Sequence, residues 1–546
     1  MARKGTVGPE GARRVNPAAA QGPRPTGGNA VEFLVDNEDA WGRLADAVGS
    51  ARESVRCMLF MLDVPHVRMG FGEPVEGRPG APWSVRLEER LAQAAENGAE
   101  VSVLLNHVLP VWSPANTSRQ VERYFQRYSQ RYGKRCKAEV RIRRLRTPQA
   151  VPVHAKLFVI DGTVAFSIGS IFAQEYFDGT GHLVDDPRRG HLRWRSSVLA
   201  PTHDVSAVVR GPAVADLDAA FLLHWGHAGP VDLPPAEPPG PAGTLQVQVT
   251  RTLHGARYRG LPEGETGIFE SYRRALEQAE DFVYLENQYL TSVEVADAVA
   301  AALRGSERLQ VIALLNARPD IPGYPQWQRD ALERLFRRAG DAAERLGVFT
   351  AWSHQGRSVI RTHIHSKVAV ADDAWATVGS ANLDGLSQLA SEHLARAPWP
   401  VRLGGRLIGA FGPGEARHAR ATEVNLSIAD FDGTAAKTTN AQIGALRRRL
   451  WAEHLGVGAE ELRERPAGGW LALWRERAEA KRRMLVEAPD RPVPCRVLPF
   501  PGDAGGFPGG TQDSAAYLRA LGVDPGSLDV RKRLRSFSFA TGAWQN

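Results

Sequence analysis

Two histidines, two lysines and two aspartates recur in this 546-residue chain at a single spacing. His154, Lys156 and Asp161 lie in VPVHAKLFVIDG; His365, Lys367 and Asp372 lie in THIHSKVAVADD. Both copies read His-x-Lys-x-x-x-x-Asp, within apolar runs that have the character of buried strands. Residues two apart share a strand face, so histidine and lysine point together into one site. The aspartate follows at the strand end or turn, where a carboxylate can hold an imidazole. Lysine is scarce: of 68 lysines and arginines only 8 are lysines, and Lys156 and Lys367 are two of them. A compact ammonium that donates to a phosphoryl oxygen is a requirement that a planar guanidinium does not meet. Two satisfied core histidines beside snorkelling lysines would not produce the same spacing twice.

The elements that must position these residues run twice in the same order. A helical stretch at 39–51 precedes the strand VRCMLFMLDV (55–64), and one at 268–278 precedes DFVYLENQYL (281–290). A helix and a second strand follow, with near-identical ends in VSVLLN (101–106) and QVIALLN (310–316). A further helix, at 124–132 or 327–338, leads to the histidine–lysine strand. Strands alternating with helices predict an α/β fold, internally duplicated into two lobes, each a mixed sheet flanked by helices. The two motifs meet only if the lobes pack about a pseudo-twofold axis, which makes one chain a pseudo-dimer and a monomer the expected working form. The expected organisation is a disordered tail at 1–29, a first lobe at 30–228, a Pro/Gly linker at 229–245, a second lobe at 246–457 and a C-terminal extension at 458–546. Residues 396–421, rich in Gly, Pro, Arg and His, read as a surface loop inserted into the second lobe.

Hydrophobic residues at 43% and charged residues at 24% are the balance of a soluble globular protein. The net charge of +7 points to anionic partners, an anionic membrane surface among them. Cys57, Cys136 and Cys495 form no CxxC pair, so neither a zinc site nor a disulfide framework is expected. No run reaches the ~20 apolar residues of a membrane span, and the N-terminus lacks the apolar segment of a secretory signal. A cytoplasmic protein, peripheral to the membrane, is the expectation. Tyr124, Tyr128 and Tyr132 with Arg123, Arg127 and Arg131 fit one helix with an aromatic core face and a solvated basic face better than a nucleic-acid groove. His107, His182 and His191 read as surface or loop residues; His363 reads equally as pocket lining or as an ordinary strand residue.

The motifs resemble those of the phospholipase D superfamily, whose members carry two such His-Lys-Asp sets. GSANLD places Gly379, Ser380 and Asn382 on the family's Gly-Ser-x-Asn segment. VYLENQYL (283–290) is similar to the Glu-Asn-Gln strand of phospholipases D proper. THDVSAVVRGPAVADLDAAFLLHW (202–225) is similar to the Trp-His-Asp strand and following helix, and LRRRLWAEHLG (446–456) to the end of the second half. The likeness covers roughly residues 30–457. It is closer to phospholipases D and cardiolipin-synthase-like enzymes than to the small nucleases, which usually carry one motif and dimerise.

That resemblance implies a phosphodiesterase that hydrolyses a phospholipid or transfers its phosphatidyl group to an alcohol. Cardiolipin-synthase-like transfer and a nuclease are the alternatives. One histidine attacks phosphorus to give a phosphohistidine, and the other protonates the leaving alcohol and then activates the acceptor. His154 takes the first role and His365 the second, with the reverse open. Lys156, Lys367, Ser170, Ser380 and Asn382 stabilise the non-bridging oxygens, and neither metal nor cofactor is called for. The orienting carboxylates lie on later strands: Asp204, although Thr202 replaces the tryptophan, and Glu423, with Glu392 as its rival. Asp161 and Asp372 then either join the chemistry or fix the turn after each strand. In SIGSIF, Phe172 stands where Asn or Asp is usual, and a phenyl ring cannot donate a hydrogen bond to phosphate.

Overall fold

The computed structural model describes the chain except residues 1–20, 65, 72–83, 110–115, 134–136, 149–151, 190–197, 256–257, 259–260, 322, 390–419, 430–439, 492–493, 501–513, 532 and 535–546. Most of the expected tail and of the 396–421 insertion lie outside the described residues, as do Cys136, His191 and Glu392.

The first half runs β1 (Thr26–Val35), α1 (Asn37–Ser50), β2 (Ser54–Leu59), α2 (Leu87–Asn97), β3 (Glu100–Leu109), α3 (Ser118–Tyr132), β4 (Val140–Pro148), β5 (Leu157–Ile160), β6 (Val164–Ser167), β7 (Val205–Arg210) and α4 (Ala213–Ala228). The second half repeats that order as β8 (Leu245–Leu253), α5 (Gly267–Gln278), β9 (Phe282–Asn287), α6 (Val293–Gly305), β10 (Gln310–Leu315), α7 (Tyr324–Ala339), β11 (Leu346–Gln355), β12 (Lys367–Ala371), β13 (Trp375–Gly379), β14 (Glu423–Ala429) and α8 (Ala441–Leu455). Residues 229–244 between them carry neither helix nor strand.

The pairing repeats as well. The first half orders β1-β7-β6-β5-β2-β3-β4, antiparallel as far as β2 and parallel beyond it. The second orders β8-β14-β13-β12-β9-β10-β11 with the same directions. The equivalent strands β1 and β8 pair antiparallel through Thr26–Val247 and Asn29–Leu245, which joins the halves into one mixed sheet. The fold is thus the helix-flanked mixed α/β sheet expected.

Strand periodicity sorts the side chains into layers. On β2, Val55, Cys57 and Leu59 face an outer core shared with α1 and α2, while Met58 faces a central core. On β9, Val283 and Leu285 face an outer core with α5 and α6, while Phe282 and Tyr284 enter the same central core. Residues of α4 and α8 complete that central layer. So does α9 (Trp470–Glu487), through Trp470, Leu471 and Trp474. A short β15 (Val497–Pro499) adds antiparallel to β11, covering an edge that would otherwise offer unpaired backbone groups. Part of the 458–546 extension is therefore packed into the second half.

The chain turns sharply after β5 and β12. Asp161 (φ 50°) and Asp372 (φ 51°) occupy the left-handed region, which aspartate visits more readily than most residues. The Asp161 carboxylate accepts from the backbone N–H of Arg52 (3.1 Å), Glu53 (2.8 Å) and Ser54 (2.9 Å). Asp372 does the same for Glu280 (2.8 Å), Asp281 (2.9 Å) and Phe282 (2.8 Å). Each ties the motif strand to the start of β2 or β9. Of the two roles the sequence leaves open to these aspartates, these contacts are those of the turn: their oxygens accept from backbone amides.

Replacing Asp161 by Ala is expected to cost about 2 kcal/mol of stability, since three amides lose an acceptor. A lower Tm with unchanged turnover per folded molecule is the outcome expected from thermal unfolding and activity measured side by side.

Candidate active site

Two crossed strand contacts build the site. The segment before β5 pairs with the second half: the Thr422 carbonyl accepts from the N–H of His154 (2.9 Å) and of Ala155 (3.0 Å). The segment before β12 pairs with the first half: the His203 carbonyl accepts from His365 (2.8 Å) and Ser366 (3.2 Å). Two asparagines at equivalent strand ends pin these segments. Asn106 Oδ1 accepts from the N–H of Val153 (3.3 Å), and Asn316 Oδ1 from that of Ile364 (2.9 Å). They are the shared final residues of VSVLLN and QVIALLN.

The side chains cross in the same way. His154 Nδ1 lies 3.1 Å from the Glu423 carboxylate, and His365 Nδ1 lies 2.7 Å from Asp204 Oδ2. Each imidazole is therefore held by a carboxylate from the other half. Ser380 Oγ donates to Glu423 at 2.6 Å and Ser387 Oγ at 2.8 Å. Lys156 Nζ lies 3.2 Å from His154 Nε2. Lys367 Nζ contacts the His365 carbonyl and lies 3.4 Å from Gln288 Oε1. The edge of Phe60 packs on His154 with ring centroids 5.6 Å apart, and Tyr176 packs on His365 at 4.9 Å.

The remaining sequence-derived candidates fall differently. Ser170 is fully buried; it donates to Asn37 Oδ1 (2.9 Å) and accepts from Trp41 Nε1 (3.1 Å), so it does not face a phosphate. Register explains this. Leu157 pairs with Ser167 as Val368 pairs with Val378, which makes Gly169 the counterpart of Ser380 and Ile171 that of Asn382. A Cβ at Gly169 would stand 2.1 Å from Asp204 Oδ1, so no side chain fits there. Phe172 is a core residue, its ring 5.5 Å from Trp41 and 5.9 Å from Phe158. Ser380 serves Glu423 rather than a phosphate. Asn382 is buried, and its Oδ1 has no hydrogen-bond partner among the described residues. His107 and His182 are buried, not surface residues. His363 is buried too, its ring 5.7 Å from that of His365. Spacing alone missed Glu286, whose carboxylate takes the Ser366 hydroxyl beside His365.

Burial governs the electrostatics. It lowers the His154 pKa, opposed only in part by Glu423. Burial and both lysines hold His365 well below its ordinary value. Burial pushes Lys156 down to about 7 and Lys367 to about 8, and Lys156 also feels the other ammonium. Burial drives Glu423 up, but His154, Lys156 and Ser380 outweigh it and keep the carboxylate ionised. The site thus pairs imidazoles that resist protonation with two lysines whose ammonium charge burial weakens, an arrangement suited to an anionic phosphodiester.

The chain is similar to several known proteins. The family model described as "Cardiolipin synthase, PLD-like domain" matches residues 272–395. Phospholipase D A of Dictyostelium discoideum is 24% identical over 499 residues, covering 78% of this chain and 36% of that protein. Cardiolipin synthase A of Pseudomonas putida is 25% identical over 369 residues, covering 66% of this chain and 63% of that protein. The solved phosphatidylserine synthase of Haemophilus influenzae is 12% identical, with a TM-score of 0.48, over 80% of this chain and 89% of that one. The chain is thus similar over most of its length to phospholipases D and cardiolipin synthases, and matches the family model within its second half. It spans about a third of the length of the Dictyostelium phospholipase D and less than two thirds of that cardiolipin synthase.

A bell-shaped pH profile of kcat/KM on a soluble diester is expected, because this ratio reports the free enzyme. The acid limb falls below the ordinary histidine value of 6.5, since His154, which must be unprotonated to attack, resists protonation. The alkaline limb falls between about 7 and 8, as Lys156 and Lys367 lose the protons that attract the substrate.

Proposed function

We propose that the protein is a phospholipase D-type phosphodiesterase that cleaves a phospholipid through a phosphohistidine, passing the phosphatidyl group to water or an alcohol. The observation that carries this reading is the crossed pair His154–Glu423 and His365–Asp204, which brings two oriented imidazoles and two lysines to one buried place. Glu423 holds Nδ1 of His154, which leaves the Nε2 lone pair directed into the site beside the Lys156 ammonium. His154 then attacks phosphorus as the leaving oxygen departs on the opposite side. The bound phosphate monoanion offsets the ammonium charges that keep His365 neutral, so His365 takes up a proton and gives it to the leaving alcohol. In the second step His365 removes a proton from water or an acceptor alcohol, which attacks the phosphohistidine and frees His154. Lys156 and Lys367 hold the non-bridging oxygens.

The halves supply both histidines from one chain, so a monomer suffices and an internal duplication accounts for the repeated topology. Exposed Arg119 and Arg146 lie near the end of β3, where burial first, then Arg144, Arg146 and Arg119, lower the pKa of His107; the two exposed arginines suit contact with an anionic membrane surface. The match to the cardiolipin-synthase family model favours transfer between two phosphatidylglycerols as the second reading.

Incubation with phosphatidylcholine, phosphatidylethanolamine or phosphatidylglycerol plus ethanol is expected to give phosphatidic acid and phosphatidylethanol. Cardiolipin from phosphatidylglycerol would establish the second reading, and no product from any lipid would end both. The two histidines should differ in kind. After exposure to a p-nitrophenyl phosphodiester, intact-mass spectrometry is expected to find no adduct on His154→Asn and an accumulated one on His365→Asn. An adduct on His154→Asn that maps to His365 would reverse the roles.

A further inference from the structure

Behind His365 lies a group of buried charges with no part in the chemistry above. His203 Nε2 is 2.9 Å from Glu286 Oε1, and its Nδ1 is 3.0 Å from Asp36 Oδ1 and 3.2 Å from Glu453 Oε1. His182 Nδ1 is 3.1 Å from Asp178 Oδ2, and its Nε2 is 2.8 Å from Glu453 Oε1. His454 Nε2 is 3.0 Å from Glu286 Oε2, which also takes the Tyr284 hydroxyl at 2.5 Å. Arg189 Nη1 lies 3.1 Å from Asp178 Oδ1. Asp36, Asp178, His182, Arg189 and His203 belong to the first half; Glu286, Glu453 and His454 belong to the second. The cluster therefore sits on the seam.

The contacts of His203 are close but too bent to count as directed hydrogen bonds, so charge rather than alignment holds them. Both nitrogens of His203, and both of His182, face carboxylates, which suits rings protonated on both sides. Four carboxylates stand against one guanidinium, so two or more imidazolium charges are needed to approach neutrality. A metal ion is the other means of balance, since Asp36, His182, His203 and Glu453 bring ligand atoms within 4.8 Å of one another. The 2.8 and 3.0 Å separations are those of direct ion pairs, shorter than the ~3.3 Å edge of a tetrahedron of ~2.0 Å metal–ligand bonds.

This cluster reaches His365 by three short links. The His203 carbonyl accepts from the N–H of His365 and Ser366. Ser366 Oγ donates to Glu286 Oε1. Asp204, the next residue after His203, holds His365 Nδ1. Around His154 the equivalent places are neutral: strand register puts Thr422 at the place of His203, Met58 at that of Glu286 and Ala155 at that of Ser366. One repeated scaffold thus carries an ionic clamp on one histidine and none on the other.

We propose that His203 and Glu286 form a buried ion pair that acts as a positioning device for His365, with Asp36, Asp178, His182, Glu453 and His454 completing its charge balance. The role assigned to the clamp rests on reading His365 as the proton donor to the leaving alcohol.

The test uses the full chain with Glu286→Gln, Glu286→Asp and His203→Gln, on phosphodiesters whose leaving alcohols range from p-nitrophenol to simple alkanols. In Glu286→Gln a displaced His365 should lower kcat on alkanol esters by about 100-fold with KM little changed. The p-nitrophenyl ester, whose leaving group needs no proton, should suffer far less, and Glu286→Asp should recover part of the loss. An equal fall for every leaving group, or no fall in a variant that melts cooperatively, would overturn the proposal. If Glu286→Gln does not fold, Glu286→Asp decides by the same leaving-group dependence. A stoichiometric transition metal in the purified wild type would also overturn it, because the ion would replace the protons. Should the wild type cleave no diester at all, the functional reading fails and proton NMR judges the clamp alone. The deshielded His365 N–H that bonds Asp204 should shift in Glu286→Gln, and an unmoved resonance would reject the clamp.

Discussion

One carbonyl on each half, that of Thr422 and that of His203, carries the histidine of the other half. Every further feature of the site depends on this exchange. Because the acceptors are backbone atoms, the relative placement of the halves is set to hydrogen-bond tolerance, and the side-chain pairs His154–Glu423 and His365–Asp204 inherit it. The antiparallel joint between β1 and β8 and the shared central core keep the exchange in register. Neither half supplies the carboxylate that holds its own motif histidine.

The site costs stability where it works. Two lysines, His365 and the carboxylates of Asp204 and Glu423 are buried, His154 is half-buried, and burial lowers both lysine pKa values because it disfavours charge there. Large apolar side chains offset this. Trp451 packs edge-to-face with Phe282, Tyr284, Trp470 and Trp474 in the central core, and Arg447 spans the Trp451 and Trp470 rings while bonding Asp373. Rigidity bought in that layer lets polar groups stay aimed into a pocket where they repel one another.

Most of the scaffold could be seen in the sequence because its signals are local. Apolar strands, amphipathic helices and the repeated LLN ends follow from residue periodicity, and Asp204 and Glu423 could be found by resemblance. What escaped depended on register or on distant partners. SIGSIF and GSANLD look aligned on their Gly-Ser pairs, yet strand pairing slips them by one residue, which turns Ser170 away and makes Gly169 the counterpart of Ser380. His182 sits in a polar stretch that resembles a loop, but its partner Glu453 is 271 residues away. Glu286 carried a visible signal that spacing alone did not exploit: a carboxylate in the apolar run FVYLEN must have buried partners.

The left-handed aspartates change what the motif itself testifies to. In both copies the histidine lies against a carboxylate of the other half, while the aspartate closes a turn at the opposite end of its strand. The groups that orient the imidazoles stand 269 and 161 residues away in sequence. A related chain could therefore keep all six motif residues, fold, and still be inert if it lost a remote carboxylate. Conversely, one that exchanged the motif aspartate for another residue content with positive φ could retain full chemistry. For ancestry the motif aspartates are a record of architecture, while the histidines and lysines depend on carboxylates written elsewhere in the chain.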